Sequence, residues 1–209
     1  MILRAPNAPP AHHPSLETLT AYAAGTLRAG FDVVAAVHLQ ACAHCRQEVA
    51  ALECVGGALL ARDEGAALRD DALAETLARL DEPAIGVSAR SLDQLLREAK
   101  RRWVAPGVWV AKIDTPHDKN DRVFMLSAAP GAATAMHTHT GAEFTQVLSG
   151  ALGDDGATYR MGDFVERSSE HTHHPHTIGQ ETCVCLFATQ GRLAPTDWIG
   201  RIAFAIADV

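Results

Sequence analysis

Two short stretches of the 209-residue chain carry metal-binding side chains at regular spacing. The stretch "HLQACAHC" places His38, Cys42 and Cys45 in the pattern H-x3-C-x2-C. Residues i and i+4 share a helix face, so His38 and Cys42 can converge on one ion, and Cys45 fits if the helix continues or turns there. Structural zinc takes four nitrogen or sulfur ligands, and the fourth would come from His12 or His13 ahead of the first helix.

These three residues also have possible roles other than zinc binding. Each of the three alone would read as a small buried residue or a core histidine, and C-x2-C can also be redox-active. All three together, with paired histidines upstream, indicate zinc. His44 would point away from the ion on a regular helix, and Cys54, which has no matching partner, is predicted to lie in the core.

The second stretch is "PGAATAMHTHTGAEFTQVLSG", residues 130–150, with His137, His139 and Glu143. Alternate residues of a strand share a face, so the two histidines point the same way, and Glu143 follows from the next strand after a turn. Two nitrogens and one oxygen suit a divalent metal such as Zn, Fe(II), Mn or Ni. A solvated polar hairpin is the alternative, and the full spacing with glycines at both ends disfavours it.

The elements that must position the first stretch are helices over residues 15–62. Ser15 is the predicted N-cap of the first helix, and Gly25 is its predicted stop. The segment "AALRDDALAETLARL" predicts a fourth, amphipathic helix with one apolar stripe, formed by Leu73, Leu77 and Leu80.

From Trp103 onward the pattern changes to short β-rich runs separated by Gly, Pro, Asp and Asn, which predicts an antiparallel barrel or sandwich. The predicted organisation is an all-α domain over residues 1–85, a linker over 86–102 with a short helix at "SLDQLLREAK", and an all-β domain over 103–209. Cys183 and Cys185 alternate with apolar residues on a buried strand, so packing is predicted for them, with redox sensing as the alternative.

Composition narrows the function classes. The chain has a formal charge of −7, and residues 1–85 hold six Arg, no Lys and eleven acidic residues, a net −5. This charge disfavours direct nucleic-acid binding, which needs clustered basic residues. No apolar run approaches the ~18–20 residues of a membrane span, and the first residues lack the features of a signal peptide. We therefore expect a cytoplasmic protein whose five cysteines stay reduced and serve metal or redox chemistry.

These motifs together resemble the ChrR-type zinc anti-sigma family, which has a C-terminal cupin-like domain. The segments "HHPSLETLTAYAAGTL", "HLQACAHCR", "VGGALL" and "ETCVCLFAT" carry the likeness, and residues 130–150 match the first cupin motif completely. The resemblance implies a helical anti-sigma domain and a C-terminal cupin fold, a small antiparallel β-barrel or jelly roll.

The resemblance also implies the ligand sets. His13, which stands 25 residues before His38, would complete the zinc site with Cys42 and Cys45. His173 would complete the cupin site, because the family places this ligand eleven residues after the glycine of Gly162-Asp163 and ten before the first cysteine of C-x-C. Its competitors in "EHTHHPHT" are His171, which shares its strand parity, and two further histidines, His174 and His176.

The function implied by the resemblance is sequestration of a group IV (extracytoplasmic-function, ECF) sigma factor by the helical domain. The cupin domain would relieve that inhibition during oxidative stress such as singlet oxygen or organic hydroperoxides. The rival from a different class is a cupin metalloenzyme, a dioxygenase, isomerase or thiol-oxidising enzyme, fused to a helical module. A zinc-dependent DNA-binding repressor is disfavoured by the acidic N-terminal segment.

Overall fold

The computed structural model describes residues 8–81, 94, 97–114, 121–132, 136–139, 141–168, 172–191 and 193–195. Its helices are α1 (Leu16–Ala23), α2 (Ala29–Ala41), α3 (Ala43–Leu60) and α4 (Ala72–Ala78), and a 3-10 turn follows at Arg79–Asp81. Not one of the helices in this part of the chain has the length and apolar character to cross a bilayer. The short helix predicted in the linker falls largely outside the described residues.

Helix α1 begins and ends where the sequence predicts. The Ser15 hydroxyl accepts a hydrogen bond from the Thr18 N–H at 3.2 Å, which satisfies one free donor of the first turn. The helix ends at Ala23, and Gly25 has a φ of 65°, a left-handed conformation that glycine adopts without steric cost. The predicted N-cap and stop are confirmed.

The chain turns sharply between α2 and α3 at Cys42. This residue has extended backbone angles (φ −110°, ψ 107°), and its sulfur accepts a hydrogen bond from the Cys45 N–H at 3.4 Å. The Arg46 guanidinium donates to the Leu39 carbonyl at 2.6 Å, which satisfies a free acceptor at the end of α2. The turn, rather than a continued helix, brings Cys45 back beside Cys42.

Helices α1, α2 and α3 enclose a small core of their own, formed by Leu19, Leu39, Cys42, Cys45 and Val49. Beyond this core the second half of α3 extends into solvent, because α1 and α2 cover only its first turns. Cys54 lies in that uncovered half and is exposed, so the prediction of a core cysteine there was wrong. Val55, Leu59 and Leu60 are exposed in the same turns.

The strands are β1 (Arg101–Ala105), β2 (Val108–Lys112), β3 (Asp121–Ala128), β4 (His137–His139), β5 (Glu143–Ser149), β6 (Ala151–Asp154), β7 (Ala157–Arg160), β8 (Phe164–Arg167), β9 (Thr172–His173), β10 (His176–Thr177), β11 (Cys183–Gln190) and β12 (Leu193–Pro195). All described pairings are antiparallel. They form one six-stranded sheet in the order β1-β2-β3-β11-β5-β8 and two smaller sheets, β10-β6-β7 and β12-β4-β9.

The central strands of the six-stranded sheet are buried on both faces, whereas the edge strand β1 is largely exposed. On β5, Phe144 and Leu148 belong to the cluster that includes α2, whereas Val147 packs on the opposite face with Leu152 and Tyr159 of the second sheet. Because side chains alternate along a strand, one strand serves both cores. The result is a cupin-like β-sandwich. Within the described residues its sheets do not close into the barrel that the resemblance implied, since β1 and β8 end the large sheet.

Helix α2 joins the helical part to the sheet. Its Phe31, Val34 and Val37 are buried in the cluster that covers one sheet face. At the start of the helix, the Arg28 guanidinium contacts both carboxylate oxygens of the buried Asp121 on β3, with Nη2 2.7 Å from Oδ1. The helices and the β-sandwich therefore share an apolar core through α2.

The predicted apolar stripe is exposed, with Leu73 and Leu77 on helix α4 and Leu80 on the 3-10 turn that follows it. We call these three residues the leucine stripe of α4. The exposed fractions are 71% for Leu73, 54% for Leu77 and 74% for Leu80. An isolated surface leucine needs no explanation, but three on one amphipathic element mark a surface suited to a partner.

Candidate metal centres

The four residues predicted to bind zinc come together in one cluster. The ligand atoms of His13, His38, Cys42 and Cys45 all lie within 4.8 Å of one another. The His38 Nε2 atom is 3.3 Å from the Cys45 sulfur, and the His13 Nδ1 atom is 3.4 Å from each of the two sulfurs. We call this cluster the N-terminal centre.

These separations fit a tetrahedral metal site. Zinc bonded to sulfur at about 2.3 Å and to imidazole nitrogen at about 2.0–2.1 Å sets neighbouring nitrogen and sulfur ligands about 3.5 Å apart. The observed nitrogen–sulfur distances of 3.3 and 3.4 Å are close to this edge length. Three of the four residues are buried, so the cluster could hold a metal ion away from solvent.

Burial keeps the imidazoles of His13 and His38 neutral and the Cys45 thiol protonated when no metal is bound. Burial lowers the pKa of His38 to about 4, and burial together with the charge of His44 lowers the pKa of His13. Burial, then the neighbouring Cys42 thiol, raises the pKa of Cys45. Neutral imidazoles are the form that binds metals, whereas the thiol must lose its proton.

The other candidate histidines near this centre lie outside it. The His12 Nδ1 atom is 3.2 Å from the Asp163 carboxylate, and His44 is exposed, with its ring centroid 5.1 Å from that of His13. Asp163 also accepts hydrogen bonds from the backbone N–H groups of Ala11 at 2.7 Å and His12 at 3.1 Å. The segment that carries His13 is therefore attached to the turn before β8.

His38 has polar contacts on its second ring nitrogen as well. Its Nδ1 atom lies 3.0 Å from the side-chain oxygen of Gln146 and 3.1 Å from the carbonyl oxygen of Gly162. Both neighbours are hydrogen-bond acceptors, so Nδ1 carries the hydrogen and Nε2 presents its lone pair to the cysteines. This is the tautomer that a metal on Nε2 requires.

Two of the predicted cupin-type residues, His137 and His173, meet where β4 pairs with β9. His137 and His173 are opposite each other in that pairing, and their Nε2 atoms lie 3.1 Å apart in a buried site. We call this site the β-domain centre. His139 lies on the same strand as His137, and its side chain is outside the described part of the chain.

Glu143 stands at the first position of β5 and is buried. Burial raises its pKa to about 7, while the positive charge of His173 and a hydrogen bond from the Thr145 hydroxyl at 3.2 Å act in the opposite direction. A buried carboxylate with such a raised pKa, and with the His173 imidazole as a neighbour, is a perturbed group of the kind found at functional sites.

The carboxylate of Asp154 holds His173 in place. Its Oδ2 atom is 2.9 Å from the His173 Nδ1 atom and accepts a hydrogen bond from the Arg167 guanidinium at 3.0 Å. Burial alone would raise the pKa of Asp154, but these two partners outweigh it and the net pKa is lowered. A carboxylate on the outer nitrogen of a histidine orients the inner nitrogen toward a metal.

The histidines of the "EHTHHPHT" segment differ in their exposure to solvent. His173 is buried, whereas His174 and His176 are exposed, as expected for solvated histidines. His171 lies outside the described residues. Cys183 and Cys185 are buried in the apolar cluster between the sheets, with their sulfurs 3.6 Å apart, which agrees with the predicted packing role.

Sequence reasoning missed three residues that support these centres. Asp154 reads as an ordinary turn residue beside Asp155-Gly156, so the sequence carries no signal for it. Asp163 belongs to the Gly162-Asp163 pair, whose position predicts His173 but gives no sign that the Asp163 carboxylate holds the segment before His13. Gln146 carried a signal, because it is a polar residue on the otherwise apolar face formed by Phe144 and Leu148.

Comparison with known proteins places the chain in a family. A family model described as the ChrR cupin-like domain matches residues 93–194. The anti-sigma-E factor ChrR of Cereibacter sphaeroides is 34% identical over 204 residues, which cover 91% of this chain and 95% of the relative.

Two solved structures are similar to the chain to different degrees. The crystal structure of Rhodobacter sphaeroides SigE in complex with the anti-sigma ChrR matches with a TM-score of 0.74 and 36% identity, over 86% of this chain and 98% of that chain. An RmlC-like cupin protein from Ralstonia eutropha JMP134 matches at 17% identity and a TM-score of 0.44, over 49% of this chain and 69% of that one. The chain belongs to the ChrR family, with the cupin-like domain as its C-terminal part.

Proposed function

We propose that this chain is an anti-sigma factor that binds an ECF sigma factor and blocks its access to core RNA polymerase. The observation that carries the proposal is the uncovered leucine stripe of α4 in a chain 36% identical to the ChrR of a SigE complex. Membership in this family makes the protein a regulator rather than an enzyme.

The acidic N-terminal segment supports the same partner. Residues 1–85 carry six Arg, no Lys and eleven Asp or Glu, and sigma factors expose basic DNA-binding surfaces. Charge of opposite sign speeds association and fixes orientation, while apolar side chains such as Leu73, Leu77 and Leu80 supply contact area. In this proposal residues 1–85 form the inhibitory domain, 86–102 the linker and 103–209 the cupin-like domain, and the protein acts in the cytoplasm.

The N-terminal centre is proposed to hold structural zinc. His13, His38, Cys42 and Cys45 supply two nitrogens and two sulfurs, a closed four-ligand set for tetrahedral zinc. When bound, the ion would tie the segment before α1 to the turn between α2 and α3. The metal thereby stabilises the helical surface that the sigma factor contacts.

The β-domain centre is proposed to hold a second divalent metal, most simply zinc, through His137, His139, Glu143 and His173. Iron, manganese and nickel are compatible with the same donors. We propose that this centre senses oxidative stress, such as singlet oxygen or organic hydroperoxides, and that the signal releases the sigma factor. The burial of His137, Glu143 and His173 supports a dedicated site over a solvated hairpin.

Copurification tests the partner. The tagged full-length chain is expected to recover a sigma factor from its native host, identified by mass spectrometry, and to inhibit transcription from that factor's promoter with purified polymerase. Recovery of a sigma factor without inhibition, or metal-dependent turnover without any sigma factor, would contradict the proposal.

Exposure of the purified complex to a photosensitiser in light, or to an organic hydroperoxide, tests the sensing role. The wild-type complex is expected to dissociate, and a complex formed with His137→Ala is expected to persist. Equal dissociation of both complexes would exclude the β-domain centre as the sensor.

A further inference from the structure

The N-terminal centre is completed by residues of the β-sandwich. The His38 side chain has no exposed surface, and the Nδ1 atom that faces away from the cysteines lies against Gln146 of β5 and the Gly162 carbonyl. Gln146 is 108 residues from His38 in the chain. The contact therefore depends on the packing of α2 against the sheet.

The orientation of the Gln146 amide follows from its own hydrogen bonds. Its Nε2 group donates to the Val147 carbonyl at 3.2 Å, which leaves Oε1 directed at His38. The side chain is 1% exposed, so water does not compete for this acceptor. The geometry gives His38 one stable tautomer, with hydrogen on Nδ1 and the lone pair of Nε2 toward Cys45.

The same part of the sandwich also holds the segment of a second ligand. Asp163 accepts from the N–H groups of Ala11 and His12, and the Phe164 N–H donates to the His12 carbonyl at 3.1 Å. These bonds fix the backbone just before His13. Two of the four predicted ligands are thus located by the turn before β8 and by β5, not by the helices alone.

We infer that the cupin-like domain forms the outer shell of the N-terminal metal centre, with Gln146 as a positioning residue that sets the tautomer and direction of His38. The inference rests on the proposed metal centre and is independent of the identity of the sigma factor. Outer partners of metal-bound histidines typically contribute about 10–100-fold to metal affinity.

Strand β5 carries one residue of each centre. Glu143 and Gln146 lie three residues apart on β5, with Glu143 at the β-domain centre and Gln146 on the face toward α2. Binding linkage is reciprocal, so if docking of α2 on β5 strengthens metal binding by His38, metal binding by His38 equally strengthens that docking. The inhibitory zinc site therefore reports whether the two parts are in contact.

Cobalt titration of the full-length chain tests the inference. Co²⁺ bound by thiolates gives a near-ultraviolet charge-transfer band, and of the two proposed ligand sets only the N-terminal one contains cysteine. We expect Gln146→Leu to weaken Co²⁺ binding at this band about 10–100-fold. Gln146→Glu, which keeps an oxygen acceptor of similar shape, should stay within severalfold of wild type. Gln40→Leu, the same change at an exposed glutamine of α2, should have no effect.

The Co²⁺ affinities of these variants test the positioning role of Gln146. Affinity of Gln146→Leu within about twofold of wild type, or equal losses for the Leu and Glu variants, would overturn the positioning role. Failure of the wild-type chain to develop the band would instead overturn the metal centre itself. If Gln146→Leu does not fold, nitrogen-15 NMR of the zinc-loaded wild-type chain still decides. Metal on Nε2 with hydrogen on Nδ1 of His38 supports the inference, and metal on Nδ1 excludes it.

Discussion

The N-terminal centre and the β-domain centre differ in both donors and framework. The first brings together two sulfurs and two imidazoles on helices and on the segment before them. The second has two facing imidazoles on paired strands and a buried carboxylate at the start of β5. Sulfur and nitrogen in a closed set of four are typical of structural zinc. Nitrogen and oxygen donors admit several metals and leave room for exchange. This difference is the reason for proposing a stabilising role for the first centre and a sensing role for the second.

The largest effect is expected from Cys45→Ser, which removes a ligand that is completely buried. Structural zinc can supply about 10–16 kcal/mol of apparent binding free energy, so metal binding by the helices and sigma-factor binding should both be lost. Elemental analysis measures the bound metal, and a pull-down measures sigma-factor binding. Cys54→Ser, at an exposed cysteine of α3, is the matched control. Sigma-factor binding by a demonstrably zinc-free Cys45→Ser chain would show that the metal is not structural.

The converse change is His137→Ala in the β-domain centre. It should reduce the metal content from about two ions per chain to about one, while inhibition of the sigma factor stays within about twofold, because the helical surface keeps its own metal. His176→Ala, at an exposed histidine of the same region, should retain both metals. Loss of inhibition in His137→Ala would mean that the two centres do not divide the roles in this way.

A smaller effect is expected from Leu77→Asp on α4. A charge placed in an apolar contact should weaken sigma-factor binding about 10–100-fold, measured by surface plasmon resonance, without changing the metal content. Ala78→Asp adds the same charge to an exposed position of α4 away from the leucine stripe and should change binding little. Equal weakening by both variants would point to net charge rather than to the stripe.

The two centres should also differ in the pH dependence of their metal affinity, and this difference needs no substitution to measure. Cys45 has a raised pKa, so metal binding displaces its proton and affinity at the N-terminal centre should rise at least about tenfold per pH unit from pH 6.5 to 8.5. Glu143 has a pKa of about 7 in the metal-free protein, so below that value protons compete for the carboxylate, and above it the β-domain affinity should level off. Chelator competition at each pH measures the metal affinity of each centre. Parallel profiles would contradict the contrast in donors.

Much of both centres could be predicted because ligand spacing is a local property. The spacing of His38 and Cys42 follows from helix geometry, and that of His137 and His139 from strand geometry, whereas Cys45 is placed by the turn at Cys42. The N-cap at Ser15 was predictable for the same reason. The exposure of Cys54 was not predictable, because it depends on how far α1 and α2 extend along α3. The sequence predicted a barrel or a sandwich and could not choose between them, since sheet closure depends on strand pairings distant in sequence.

The sequence by itself determined which atoms are available to each centre, and it determined the family, since ligand types and short spacings are written in consecutive residues. Only the tertiary structure decided what holds those atoms. Gln146 and Gly162 reach His38, Asp163 fixes the segment of His13, and Asp154 orients His173. Their hydrogen bonds depend on helix-to-sheet and strand-to-strand packing between distant residues, which no local pattern encodes.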